Sequence, residues 1–83
     1  MNVDVKRVLE VIKHGLKLNE NIEIDLDSNL EELGMDSIAF IQTVVFAEKE
    51  FDIEFDDEKL DAGLFLICRD FFEYIQKKLE NSK

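Results

Sequence analysis

The sequence predicts an all-α fold: a small four-helix bundle of three long helices and one short helix, with a long loop between the first two. Apolar residues recur at helical spacing in three separate stretches of the chain. None of the 83 residues is proline, the residue that breaks helices most strongly. Residues 19–35 carry no helical pattern, and a connection of this length needs anchors of its own.

The first predicted helix covers about Val3 to Leu18. Charged side chains lie off its apolar stripe, as in an amphipathic helix that packs one face against a core. The stripe consists of Val5, Val8, Leu9, Ile12 and Leu16. His14 lies on the charged side of the helix, which predicts a solvent-exposed histidine.

The long loop from Asn19 to Met35 is predicted to be held by apolar side chains that insert into the bundle. These anchors are Ile22, Ile24, Leu26, Leu30 and Leu33. Segments 22–26 and 51–55 also alternate between apolar and acidic residues, a pattern that permits a short parallel strand pair. Because a two-stranded pair is marginal alone, an extended loop is the favoured interpretation.

The second predicted helix runs from about Ser37 to Phe51 and is apolar on more than one face. One stripe, which we assign to the core, consists of Phe40, Val44, Ala47 and Phe51. A second stripe consists of Ile38, Ile41 and Val45. Because a surface helix buries one face only, we expect the second stripe to be exposed or available to a partner.

The last part of the chain predicts a short third helix from about Asp57 to Ala62 and a fourth helix from about Leu66 to Leu79. Acidic residues favour the first turn of the third helix, and Gly63 follows as its terminator. The apolar stripe of the fourth helix consists of Cys68, Phe71, Phe72, Ile75 and Leu79. A cysteine on such a stripe predicts a buried, inert thiol.

The formal net charge is −10, and the acid is concentrated in the middle of the chain. Residues 20–61 carry fifteen acidic and two basic side chains, whereas the flanking segments are slightly basic. Such a surface repels nucleic acid and anionic membranes and attracts a basic protein partner. One cysteine permits no internal disulfide, and one histidine excludes a cluster of histidines.

No apolar run approaches the roughly 18 residues that a membrane span needs. The first residues include Asp4, Lys6 and Arg7, which interrupt any signal-type apolar run. We therefore expect no membrane span, a cytoplasmic location and a monomeric state.

Residues 30–38 read Leu-Glu-Glu-Leu-Gly-Met-Asp-Ser-Ile and join the long loop to the second helix. Gly34 predicts a turn, and Asp36 is a natural N-cap whose carboxylate can accept from the N–H of Ile38 or Ala39. Ser37 then becomes the first helical residue, with its hydroxyl pointing outward. A phosphate ester on that oxygen would lie where the helix dipole and unpaired N–H groups favour an anion.

This stretch resembles the attachment site of the acyl carrier protein family, whose pattern is Leu-Gly, a variable residue and Asp-Ser-Leu. The resemblance continues through the second helix to the acidic segment ending at Phe55, and it covers nearly the whole chain, so residues 1–83 are expected to be a single carrier domain. It implies that Ser37 carries 4′-phosphopantetheine from coenzyme A, with Asp36 and Gly34 beside it. It also implies a non-catalytic carrier. A phosphopantetheinyl transferase adds the arm, whose thiol holds acyl or aminoacyl groups as thioesters for partner enzymes.

Carriers of fatty acid synthesis usually present acidic side chains just after the serine, but residues 39–43 here are uncharged. The expected docking surface is therefore an apolar centre with an acidic rim. Its predicted residues are Met35, Ile38, Ile41, Val45 and Glu48. Fatty acid, polyketide, nonribosomal peptide and D-alanine carriers share this skeleton, so the sequence leaves cargo and pathway open.

Two other functions stay open from the residues alone. A helical protein-interaction module would use the same surface without any modification. A calcium-responsive helical protein is the second, because residues 25–36 begin as an EF-hand loop does. Leu30 occupies the sixth position, where the sharp turn needs glycine, and Asp36 rather than glutamate occupies the twelfth. We therefore expect no metal site, and no carboxylate pair is placed for enzyme chemistry.

Overall fold

The computed structural model describes residues 4–19 and 21–81. Within them the chain forms α1 (Val5–Leu16), α2 (Ser37–Phe51) and α3 (Cys68–Asn81), with two short 3-10 turns at Asp57–Lys59 and Ala62–Leu64. An isolated antiparallel bridge joins Asn29 to Ile67, and the described residues contain no β-strand. The all-α prediction is confirmed, and segments 22–26 and 51–55 do not pair as strands.

The bounds of α2 are those predicted, whereas α1 is shorter than the predicted Val3–Leu18. Asp4 caps the start of α1 by accepting from the N–H of Lys6 at 2.9 Å. Lys17 ends it in the left-handed conformation, with φ 57°. Val3 lies outside the described residues. Val5, predicted to join the apolar stripe, is 37% exposed because the buried face of α1 begins one turn later, at Val8.

α1 and α2 approach each other closely where Gly15 faces Thr43. A methyl group at Gly15 would overlap Thr43 Oγ1 and lie 2.7 Å from Thr43 Cα. The Thr43 side chain is buried, and its hydroxyl donates to the carbonyl of Ala39 at 2.8 Å. The missing side chain at Gly15 therefore sets the distance between the two helices.

The predicted short helix from Asp57 to Ala62 needs correction, and with it the count of four helices. The segment forms two separate 3-10 turns, because Leu60 leaves the helical region with φ −85° and ψ 56°. Asp61 starts the second turn: its carboxylate accepts from the N–H of Gly63 at 2.9 Å. Gly63, expected to terminate a helix, thus lies inside the second turn.

Residues 17–36 connect α1 to α2 and are held by both side chains and backbone. Leu30 is fully buried, and its N–H donates to the carbonyl of Leu66 at 3.0 Å. The N–H of Cys68 donates to Ser28, and that of Arg69 donates to Leu26. The predicted anchors Ile24, Leu26 and Leu33 are half-buried. Ile22 is exposed, so its predicted insertion into the bundle is wrong.

The core lies between the side of α2 that carries its predicted core stripe, which we call the inner face, the buried stripes of α1 and α3, and segment 53–65. All four predicted core residues of α2 are buried. In α3, Phe71 and Ile75 are buried, but Phe72 and Leu79 pack against the core only partly. Phe55 and Phe65 were missed by sequence reasoning because they lie outside helices, where helical periodicity does not identify buried positions.

Candidate functional site

A tight turn positions the start of α2. The N–H of Gly34 donates to the carbonyl of Glu31 at 3.0 Å, and that of Met35 donates to Leu30 at 2.9 Å. Gly34 adopts φ 98°, in the left-handed region where any other residue is strained. The backbone conformation therefore requires glycine at this position of the motif, and the turn leads directly to Asp36.

Asp36 caps α2, and Ser37 is the first residue of that helix. The Asp36 carboxylate accepts from the N–H of Ala39 at 2.8 Å, which is one of the two partners that the sequence predicted. Asp36 itself is extended, with φ −119° and ψ −173°, as an N-cap residue should be. Ser37 is exposed, so its hydroxyl is accessible to a large enzyme.

The surroundings of Ser37 suit a phosphate ester. The first N–H groups of a helix lack intrahelical partners, and the helix dipole favours negative charge at this end. The carboxylate of Asp36 satisfies the N–H of Ala39 without occupying the Ser37 oxygen. The start of α2 is therefore an electrostatically favourable position for a covalently attached phosphate.

Ser37 has no histidine partner for nucleophilic catalysis. The exposed ring of His14 lies edge-on to Phe46, with 6.1 Å between ring centroids. Phe46 is nine residues after Ser37, or roughly 13 Å along the helix axis. His14 is therefore not placed to act as a base for Ser37.

An exposed apolar surface follows Ser37 along the outer side of α2, and we call it the outer face: Ile38, Ile41, Val45 and Phe46. The exposed fraction is 71% for Ile38 and 48% for Ile41. Residues 37–47 carry no charge at all, so this surface is uncharged as well as apolar. Phe46 was assigned to neither stripe at the sequence level, although its position off the inner stripe was a usable signal.

The other two predicted docking residues lie differently. Met35 is half-buried and lines a groove of about 250 Å³ together with Leu30, Phe65 and Leu66. Glu48 is half-buried, and its carboxylate accepts from the N–H of Phe55 at 2.9 Å. The structure thus brings Ile38, Ile41 and Val45 onto one surface but gives Glu48 an internal contact and turns Met35 toward the groove.

Exposed acidic residues lie upstream of this surface. Glu31, Glu32 and Asp36 are all exposed and precede Ser37 in the chain. The side chain of Glu50, near the end of α2, pairs with Arg7 at 2.7 Å. Negative charge therefore remains at the N-terminal margin of the outer face. At the far end of α2, the negative charge of Glu50 is partly neutralised by Arg7.

The EF-hand-like segment, residues 25–36, packs against the rest of the protein. Leu30, at its sixth position, is buried in the core, and Asp27 pairs with Arg69 at 2.6 Å. Among residues 4–19 and 21–81, no three His, Cys, Asp or Glu side chains cluster so as to hold a metal ion.

Burial, with a smaller contribution from Asp25, raises the pKa of the Cys68 thiol to about 11.

No helix in the described part of the chain is long and apolar enough to cross a membrane.

Comparison with known proteins gives consistent matches. Residues 6–63 match the family model described as a phosphopantetheine attachment site. The chain is 35% identical over 77 residues to an acyl carrier protein of Phytoplasma mali, covering 92% of this chain and 88% of that protein. It is 32% identical over 74 residues to an acyl carrier protein of Desulforapulum autotrophicum, covering 89% and 91%. It is also 31% identical over 75 residues to the chloroplastic acyl carrier protein 1 of Spinacia oleracea, covering 89% and 54%.

Proposed function

Because the chain belongs to the acyl carrier protein family, we propose that Ser37 is the residue that carries its covalent 4′-phosphopantetheine. Membership makes the protein a non-catalytic carrier with that prosthetic group. The observation that supports Ser37 is its place as the exposed first residue of α2, directly after a capping aspartate. Its position falls within residues 6–63, the range that matches the attachment-site family.

The residues around Ser37 have separate tasks in this proposal. Gly34 supplies the backbone turn, Asp36 closes the helix end, and Ser37 presents the oxygen. A phosphopantetheinyl transferase joins that oxygen to the β-phosphate of coenzyme A, and the arm supplies the thiol for a thioester. Since no described side chain is arranged as a base for Ser37, proton removal is the task of the transferase.

The proposed cargo is an acyl group, and the proposed partners are the enzymes that load and receive it. The relatives named above are acyl carrier proteins, which favours an acyl over an aminoacyl group. Tethering the cargo to the arm raises its effective concentration at each partner site. Residues 1–83 are proposed to form one domain that acts as a cytoplasmic monomer.

The outer face of α2 is proposed as the surface on which partners dock. It is exposed, it starts beside Ser37, and it lacks the acidic residues that would attract a purely basic groove. Exposed apolar patches with polar margins are typical of protein interaction sites. A matching partner has an apolar centre and basic groups that meet Glu31, Glu32 and Asp36.

Incubation with coenzyme A, Mg²⁺ and a broad-specificity phosphopantetheinyl transferase, followed by intact mass measurement, tests the attachment site. The wild-type protein is expected to gain the mass of one arm. Ser37→Ala is expected to gain none and to keep its stability within about 0.5 kcal/mol, because Asp36 is the cap.

Ser28→Ala is the matched control, since Ser28 is a half-buried loop serine hydrogen-bonded to Asp25. This variant should gain the arm as the wild-type protein does. An arm on Ser37→Ala would show that the site is elsewhere. A wild-type chain that never gains the arm would favour an unmodified interaction module.

A further inference from the structure

Five aromatic rings fill the interior of the protein and contact one another. We call them the aromatic cluster: Phe40, Phe55, Phe65, Phe71 and Tyr74. Their ring centroids are 4.6 to 6.3 Å apart, within the range of favourable aromatic pairs. The four phenylalanines are at most 6% exposed. The cluster is therefore a continuous layer of rings that is buried except at Tyr74, which is half-buried.

The aromatic cluster begins immediately beneath the proposed attachment residue. Phe40 lies one turn after Ser37 on α2 and points into the core, where its ring contacts both Phe65 and Phe71. Phe65 precedes Leu66, whose carbonyl is bonded to the N–H of Leu30 in the turn before α2. The interior nearest to the arm is thus occupied by rings from α2, α3 and the segment between them.

The grooves around the protein offer little shelter near Ser37. The groove lined by Met35, Leu30, Phe65 and Leu66 has a volume of about 250 Å³. At about 30 Å³ for each water in the liquid, it holds on the order of eight waters. Two larger grooves are not lined by the residues around Ser37: one follows α1 to Leu18, and the other lies between Asp52 and the end of α3.

We propose that this carrier takes short or polar acyl groups, which stay outside the bundle, and that the aromatic cluster closes the interior to long hydrocarbon chains. This inference rests on the proposed attachment at Ser37. Cores pack as densely as organic crystals, so a long chain enters only if several buried rings move together. A long chain that remains outside would instead expose its apolar surface to water.

Loading the protein with acylated arms of different chain length tests the proposal. Wild-type protein is loaded from butyryl- and from dodecanoyl-coenzyme A with a broad-specificity phosphopantetheinyl transferase, and intact mass verifies each product. Cleavage of the two thioesters by hydroxylamine is then compared. Because cleavage follows the population in which the thioester is exposed, the two rates are expected to agree within about twofold in wild-type protein.

Variants that open the aromatic cluster provide the contrasting measurement. Phe65→Ala, and Phe71→Leu as a milder change, are each expected to slow cleavage of the dodecanoyl thioester by about tenfold relative to butyryl, because the chain can then shelter inside. Phe72→Leu makes the milder change at the neighbouring ring of α3, which is half-buried and outside the aromatic cluster, and should behave as the wild-type protein does.

Three results would overturn the proposal. The first is wild-type dodecanoyl thioester that is already protected tenfold, a level expected only of a sheltered chain. The second is a large NMR shift of the Phe40 and Phe71 rings with dodecanoyl but not butyryl cargo. The third is unchanged cleavage in both folded cluster variants. Failure of the proposed function is distinguishable, since it shows earlier as the absence of an arm in the mass spectrum.

Discussion

The two faces of α2 are made of similar residues but have opposite environments. Phe40 on the inner face is 2% exposed and belongs to the aromatic cluster, whereas Phe46 on the outer face is 41% exposed. Residues 37–47 carry no charge, so no polar stripe distinguishes the faces. The contrast shows that exposure on this helix is decided by what α1 and α3 cover.

This difference has a functional meaning in the proposed carrier. The inner face fixes the helix and occupies the space in which cargo would otherwise lie, because the ring of Phe40 packs against that of Phe71 in α3. The outer face begins at Ile38, directly beside Ser37, and its four side chains are between 39% and 71% exposed. Apolar residues therefore serve stability on one side and are available for recognition on the other.

The largest expected effect comes from removing one phenylalanine from each face. Phe40→Ala should lower the free energy of unfolding by about 3–5 kcal/mol, because it loses burial and leaves a cavity. Phe46→Ala should cost less than about 1 kcal/mol, since its ring is already exposed on one side. Chemical denaturation of the two variants, monitored by circular dichroism, measures this difference. Equal losses would mean that the two faces are not energetically distinct.

A smaller effect is expected where α1 covers the inner face. Gly15→Ala places a methyl group against Thr43 and should lower the free energy of unfolding by about 1–3 kcal/mol through overpacking. Thr43→Ala in the same protein should restore only part of the loss, because Thr43 Cα lies 2.7 Å from the added carbon. Denaturant midpoints of both single variants and the double variant test this. Full recovery would show that only the Thr43 side chain limits the helix approach.

The smallest expected effect is on recognition rather than stability. Ile38→Ala and Val45→Ala should each lower kcat/KM for arm transfer by a phosphopantetheinyl transferase up to tenfold, or about 1.4 kcal/mol, if the outer face is the docking surface. The free energy of unfolding should change by less than about 0.5 kcal/mol for Ile38→Ala, because Ile38 is the more exposed of the two residues.

Gln42→Ala is the matched control for these docking variants, because Gln42 is an uncharged polar residue of the same helix. It should leave the transfer rate nearly unchanged. A uniform loss in all three variants would point to the helix as a whole, and no loss in any of them would remove the outer face from the docking site.

The sequence by itself determined the elements whose signals are local. The bounds of α2, the capping role of Asp36 and the glycine turn at Gly34 follow from hydrogen bonds and backbone preferences within a few residues. The family was also evident from the residues around Ser37, and the matching of residues 6–63 confirms it. Local rules suffice there because the partners are neighbours in the chain.

Only the tertiary structure decided where apolar residues outside regular helices lie. Ile22 was expected to be buried and is exposed, whereas Phe55 and Phe65 in irregular segments are buried. The predicted helix at residues 57–62 became two 3-10 turns, because Leu60 leaves the helical region and Asp61 bonds to Gly63. The half-buried position of Glu48 also depends on a contact that periodicity does not predict: its carboxylate accepts from the N–H of Phe55, seven residues away. Helical periodicity predicts which face of a helix is apolar. Whether a residue is buried depends on distant segments that come together only on folding.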